Sequence, residues 1–76
     1  MKTNPSDKKV LETVFRAAYG HGKQVVGLES VQVWLTGWTP AGAALLHLTG
    51  TDPALEIKVA LDLEVTRGGV VTETGP

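Results

Sequence analysis

The stretch SVQVWLTGWTPAG, residues 30–42, contains both tryptophans of the chain and decides how the rest can fold. Read as a strand, it alternates an aliphatic face with an aromatic face, because successive side chains point to opposite sides. The aliphatic face carries Val31, Val33 and Leu35, and the aromatic face carries Trp34 and Trp38. A small sheet with one wet face leaves this second row uncovered. The stretch therefore raises the question of what covers the tryptophans.

Three interpretations of Trp34 and Trp38 stay open at the level of the sequence. They can be core residues beneath a helix, packed against Val14 and Phe15. They can lie in a subunit interface, where tryptophan is enriched. They can form an exposed platform on which nucleic-acid bases stack. Their predicted face also carries polar residues, namely Gln32 and Thr36. This mixed polarity favours an interface over a deep core.

Upstream of this stretch, the chain predicts one amphipathic helix, residues 7–19. Apolar residues recur there with helical spacing, at Val10, Leu11, Val14, Phe15 and Ala18. Ser6 fits the N-cap position, and Gly20 fits a C-terminal cap. Residues 1–6 are polar and predict a flexible tail, whereas residues 7–76 predict a single small domain.

Downstream of the helix, the sequence alternates in the manner of strands separated by turns. The expected strands are residues 23–28, 30–38, 43–49, 54–66 and 70–74. Glycine and proline mark the turns, at TPAG (39–42), GTDP (50–53) and Gly68–Gly69. We therefore predict an α+β, mostly β fold, in which an N-terminal helix precedes about five antiparallel strands. These strands are expected to bend into a small sheet or barrel.

Length and cysteine content limit how such a domain can be stabilised. A domain of this size buries only about 60% of its unfolded surface, so it is of marginal stability alone. The absence of cysteine excludes disulfides and thiolate metal sites, and two histidines without nearby acidic ligands make a poor zinc site, which generally needs three or four ligands. We expect no metal and no cofactor. Self-association into a homo-oligomer is the most natural further source of stability.

Charge is distributed unevenly, although the net charge is only −1. Residues 1–28 carry five cations and two acids, whereas residues 29–76 carry two cations and six acids. A net charge near zero excludes a nucleic-acid binder that works by bulk electrostatics. The helix nevertheless offers a basic contact surface, at Lys8, Lys9 and Arg16. The alternative is an ordinary solvated helix face.

The sequence predicts neither a membrane span nor a secretory signal. No segment approaches the ~20 apolar residues of a membrane-spanning helix. The N-terminal MKTNPSDKK lacks the hydrophobic region of a signal peptide. We therefore expect a cytoplasmic protein without a membrane partner.

Catalytic constellations are scarce in this sequence. GHGK (20–23) contains residues that can cradle a phosphate, but it lacks the spacing of a phosphate-binding loop. His47 alternates with leucines and is interpreted as a hydrogen-bonded or exposed strand histidine. Asp62 and Glu64 share one strand face, where solvated charge is the simpler interpretation of a carboxylate pair. We therefore expect a binding module and not an enzyme.

Two segments resemble the Sm-like family, which includes the Lsm proteins and Hfq. WLTGWTPAGAALLHL (34–48) is similar to the family's first motif, in which a strand ends in a small residue and an aromatic before a turn. EVTRGGVV (64–71) is similar to the second motif, in which an Arg-Gly turn joins two β-rich segments. Thr39 and Ala43 replace the family's usual aspartate and asparagine, so the usual base-contacting groups are not evident.

Three other segments resemble the tryptophan-activated RNA-binding attenuation protein, a second ring-former. They are GKQVVGL (22–28), LEIKV (55–59) and VTRGGVVTETG (65–75). That family begins with a strand where this chain predicts a helix. Its basic RNA-contacting run is represented here only by Lys58, with Ala60 at the place of a neighbouring basic residue. Both resemblances imply a ring-forming β subunit that often binds RNA.

Together these features predict a non-enzymatic, ring-forming oligomer that binds RNA or a protein partner. The alternative is a small monomeric or dimeric protein-binding regulator, for example a phage-encoded inhibitor. The candidate residues for contact with RNA or a partner are Lys8, Lys9, Arg16, Trp34, Trp38 and Arg67.

Overall fold

The computed structural model describes residues 5–75, which form one helical segment followed by four strands. The α-helix α1 spans Pro5–Gly20 and continues directly into a π-helix, His21–Val26. The strands are β1 (Glu29–Trp38), β2 (Ala44–Asp52), β3 (Ile57–Val65) and β4 (Val71–Glu73). They form one open antiparallel sheet in the order β1-β2-β3-β4. The mostly β, α+β class is confirmed, but the described residues contain neither a fifth strand nor a closed barrel.

The predicted first strand, residues 23–28, is wrong, because this segment is mostly π-helix. Gly22 makes the helical path possible: a Cβ on it would lie 2.8 Å from Leu48 Cδ1 and 3.2 Å from Val31 Cγ1. The backbone therefore approaches the sheet more closely than any other residue allows. This tertiary packing outweighs the strand preference of the two valines that follow. Four strands in one open row leave both sheet edges free.

The helical segment ends later than the sequence predicts. Gly20 has right-handed backbone angles (φ −62°, ψ −38°), so the helix passes through it. Gly27 ends the segment instead, with φ 84° and ψ 31°, a left-handed conformation that favours glycine. The N–H groups of Gly27 and Leu28 both donate to the carbonyl of Gly22. At its other end α1 already includes Pro5, so Ser6 lies inside the helix, and residues 1–4 of the predicted tail lie outside the described residues.

One face of the sheet packs against the helix and forms the core. The predicted helical stripe is largely confirmed: Val14 and Ala18 are fully buried, and Val10 and Phe15 pack at the margin of the core. The buried cluster comprises Val14, Ala18, Leu28, Ala44, Leu46, Leu48, Leu63 and Val65. On β2 every second residue is buried, as expected for a central strand covered on one face.

The other face of the sheet has no helix against it, and we call it the open face. Residues directly opposite each other on paired strands share a face, so the register assigns its members. They are Glu29, Gln32, Trp34, Gly37, Leu45, His47, Thr49, Thr51, Lys58, Ala60, Asp62, Glu64 and Thr72. The prediction that Asp62 and Glu64 share one face of their strand is thereby confirmed.

Two irregularities interrupt the pairing of β1 with β2. One lies between Glu29 and Gln32, where Ser30 adopts a positive φ of 53°, and the other lies between Leu35 and Gly37. Each inserts one extra residue into β1, which is the definition of a β-bulge. The segment of regular pairing between them is Gln32–Leu35.

The second bulge overturns the prediction that the two tryptophans share a face. Trp34 is paired with His47 on the open face. Beyond the extra residue, Trp38 is paired with Ala44, whose side chain is fully buried on the helix side. The core interpretation is also wrong, because Trp34 and Trp38 are 46% and 44% exposed.

The three turns between strands lie near their predicted positions, and side-chain oxygens accept backbone hydrogen bonds in all three. In the predicted TPAG turn, Ala43 N–H donates to Thr39 Oγ1 and Gly42 adopts φ 91°. The predicted GTDP turn is displaced to residues 53–56, where Asp52 Oδ1 accepts from the N–H groups of Ala54 and Leu55. The last loop spans residues 66–70 and is longer than the predicted two-residue Gly68–Gly69 turn.

Candidate functional site on the open sheet face

Three side chains form a row across the middle of the open face. Trp34 on β1 lies opposite His47 on β2, which lies opposite Asp62 on β3. The ring centroids of Trp34 and His47 are 5.9 Å apart, with 38° between the ring planes. His47 Nδ1 is 2.9 Å from Asp62 Oδ1, and the ring N–H donates to the carboxylate. The predicted hydrogen-bonded strand histidine is therefore confirmed.

The hydrogen bond to Asp62 sets the chemistry that His47 presents outward. When Nδ1 carries the proton of a neutral imidazole, Nε2 keeps a lone pair and accepts hydrogen bonds. Among the described residues, no other side chain hydrogen-bonds to this ring. The His47 and Asp62 side chains are 39% and 58% exposed, so a ligand reaches both. The row thus offers an indole surface, a hydrogen-bond acceptor and a carboxylate.

A shallow cleft of about 440 Å³ adjoins this row. Its lining comprises Ser30, Gln32, Thr49, Gly50, Thr51, Lys58, Val59 and Ala60. The polar side chains among these make no hydrogen bond to another described residue. The cleft therefore brings several polar side chains to the part of the open face next to the row.

The open face is slightly acidic. Within the described residues it carries Lys58 against Glu29, Asp62 and Glu64. The carboxylate of Asp62 lies beside the imidazole that Trp34 contacts, so the aromatic surface has an anionic neighbour. Such a neighbour repels phosphates and attracts basic groups.

The structure does not bring the six predicted contact residues into one site. Lys8, Lys9 and Arg16 are exposed on the helix, which packs on the opposite side of the sheet from Trp34. Arg67 belongs to the loop before β4, and its Nε would lie 3.4 Å from a Cβ on Gly42. The loop of Arg67 and the turn after Trp38 thus meet at one end of the sheet. The six residues therefore fall into three groups. The three cations of the helix form one group, Trp34 stands alone on the open face, and Trp38 and Arg67 lie near one end of the sheet.

The His47–Asp62 pair was not found by sequence reasoning, although each residue was considered. The signal that could have found it is the register of two hairpins, which places positions 34, 47 and 62 in one row. That register depends on a bulge and on the exact turn lengths. A single sequence gives only weak information about both.

His21, the second histidine, connects two elements of the fold. His21 Nε2 donates to Glu73 Oε2 at 2.9 Å, which ties the π-helix to β4. Its GHGK motif therefore lies in a helix that packs on the sheet. Across residues 5–75, the structure shows no group of three or more acidic, histidine or cysteine side chains placed to hold a metal ion.

Within the same range, no helix has the length and apolar character needed to cross a membrane. Comparison with known proteins finds no matching family model, no similar curated protein and no similar solved structure.

Proposed function

We propose that this protein is a non-enzymatic, protein-binding module whose contact surface is the open face. One observation carries this proposal: Trp34 is 46% exposed on edge strand β1, on a sheet face against which no described helix packs. Tryptophans are enriched at protein interfaces, because burial of a large rigid ring contributes much binding free energy and costs little side-chain entropy. The polar groups around it supply the specific hydrogen bonds of an interface rim.

The charges of the open face indicate the kind of partner segment. Asp62 and Glu64 favour a segment with a lysine or arginine, and Trp34 favours an aromatic or aliphatic side chain next to it. His47 Nε2 can accept a hydrogen bond from the same segment. We infer that the partner presents an apolar anchor flanked by a basic residue.

Selection of random peptides on the immobilised protein tests this proposal. We expect the enriched peptides to combine an aromatic or aliphatic residue with a lysine or arginine. Trp34→Ala should weaken their binding about tenfold or more, as for a hot-spot residue. Trp38→Ala is the matched control, because this side chain is 44% exposed but lies on the other side of the sheet. Absence of enriched peptides, or equal losses in both variants, contradicts the proposal.

RNA binding by the helix is a second candidate function. It is supported by the basic helix face, where Lys8, Lys9 and Arg16 are exposed and Lys23 follows in the π-helix. Lys23 Nζ lies 5.4 Å from the centroid of the exposed Tyr19 ring, so an aromatic surface adjoins the cations. This combination is typical of sites that bind single-stranded nucleic acid.

A labelled RNA pool, titrated at several salt concentrations, tests the second candidate. The logarithm of the affinity should fall with the logarithm of salt, with a slope of about −0.7 per neutralised phosphate. The double variant Lys8→Glu and Lys9→Glu should abolish binding, whereas Lys58→Glu on the open face should not. Affinity that is insensitive to salt, or equal loss in both variants, contradicts binding by the helix.

A further inference from the structure

The long edge of the sheet has no neighbour among the described residues. β1 pairs only with β2, so alternate N–H and C=O groups along it face away from the sheet. Between residues 30 and 38, no backbone group of β1 makes a hydrogen bond outside its pairing with β2. Unpaired groups of this kind are a template for another strand.

The side chains of this edge give it little of the usual protection. β1 contains no lysine and no proline, and its one charged residue, Glu29, stands at its first position. Three of its large apolar side chains are exposed, namely Trp34, Leu35 and Trp38. Natural edge strands are protected by charged side chains, above all lysine, by proline or by β-bulges. β1 has bulges at both ends of Gln32–Leu35, so the regular segment between them is the part left open to another strand.

We propose that a second copy of this chain covers the edge, by antiparallel pairing of the two β1 strands. The bulges limit the regular part of β1 to Gln32–Leu35, and we place the two-fold axis at Val33, within this segment and perpendicular to the sheet. This axis pairs Gln32–Trp34 of one copy with the same three residues of the other, running in the opposite direction. Each Trp34 then lies opposite a Gln32 on the open face, and next to this pairing each Val31 lies opposite a Leu35 on the helix side.

This register brings apolar groups together on both faces of the sheet. On the helix side, Leu35 is 37% exposed in the single chain and gains a valine neighbour. On the open face, the two copies of Trp34 become diagonal neighbours about 7–8 Å apart, within reach of aromatic side chains. The product is an eight-stranded sheet with both helices on one side. It also unites the two open faces into one surface.

The opposite edge favours a dimer over the predicted ring. A ring requires a head-to-tail interface, which would pair β1 with β4 of the next subunit. β4 contains only three residues, and one of them, Glu73, is already bonded to His21. Pairing β1 with itself instead joins Gln32–Trp34 of the two chains and adds the contact of Val31 with Leu35 on either side. The short β4 strands remain at the two outer edges of the dimer, where they give little template for further growth.

Solution mass and cysteine cross-linking together test this proposal. Light scattering at high protein concentration should give a mass of two chains of 8.0 kDa each. The interface is small, below roughly 600 Å² per subunit, so dilution should return the mass to one chain. Because the chain has no cysteine, Val33→Cys introduces one thiol at the expected two-fold axis. We expect most of this variant to become a covalent dimer on mild oxidation.

Thr72→Cys is the matched control, because it places a thiol on the other edge strand. It should remain largely uncross-linked. A single-chain mass at every concentration overturns the proposal, and so does a mass of five or more chains. Equal cross-linking of the two variants also overturns it. Both measurements use the protein alone, so their outcome does not depend on whether the open face binds a partner.

Discussion

Trp34 and Trp38 have nearly the same exposure but different neighbours. Trp34 contacts the His47 ring on the open face, whereas Trp38 lies beyond the bulge, paired with the buried Ala44. Strict alternation would place both on one side, and one inserted residue moves the second to the other side. A substitution next to one tryptophan should therefore leave the surroundings, and so the fluorescence, of the other unchanged.

Single-tryptophan variants test this separation. In Trp38→Phe, which keeps only Trp34, a further His47→Ala change should alter the emission intensity or wavelength, because it removes the ring 5.9 Å away. In Trp34→Phe, which keeps only Trp38, the same change should leave the emission unaltered. An equal response in both backgrounds would show that the tryptophans share one face, as strict alternation predicts.

Two glycines are expected to respond oppositely to alanine. A Cβ on Gly50 would lie 2.8 Å from Leu28 Cβ and 3.1 Å from the Glu29 carbonyl oxygen, which cannot move freely. Gly50→Ala should therefore lower the free energy of unfolding by about 1–3 kcal/mol. Gly20 has helical angles and no atom within 4 Å of an added Cβ, so Gly20→Ala should raise it by about 0.5–1 kcal/mol. Urea denaturation measures both, and a neutral Gly50→Ala would refute the close approach.

At the scale of elements, sequence patterns predict the long segments and miss one short segment. The amphipathic helix and the strands near residues 30–38, 43–49 and 54–66 are found, because each has a clear apolar period. Residues 21–26 are missed, since two adjacent valines suggest a strand in any window this short. Their π-helical path depends on contacts of Gly22 with β1 and β2, which lie far away in sequence.

The end of the π-helix gives a prediction for this element. Gly27 holds a left-handed conformation, so Gly27→Ala should destabilise the fold by about 1–2 kcal/mol. Gly27→Asn should cost less, because asparagine tolerates left-handed angles better than other residues with a side chain. Thermal or urea unfolding of the two variants measures the difference. Equal losses of stability in the two variants would mean that Gly27 is required because a side chain does not fit there, and not because of its left-handed backbone.

At the scale of the whole molecule, the uneven charge of the sequence becomes a difference between two sides. The exposed helix residues Lys8, Lys9 and Arg16 lie on one side of the sheet, and Asp62 and Glu64 lie on the other. Sequence alone predicts this asymmetry, because the cations cluster in the helix. It does not predict the candidate site, because the row of Trp34, His47 and Asp62 exists only once three strands are in register.

Amide hydrogen exchange reports on the whole sheet and tests the topology and the edge together. β2 is flanked by two strands and contributes most of the buried sheet residues, so its amides should exchange most slowly. β4 is short and lies at an edge, so its amides should exchange fastest among the strands. In a single chain, alternate amides of β1 face solvent and should also exchange fast. At high protein concentration, pairing between copies should slow these amides at least tenfold within Gln32–Trp34 and leave those of β4 unchanged. Concentration-dependent protection of β4, or none in β1, would place the interface elsewhere on the molecule.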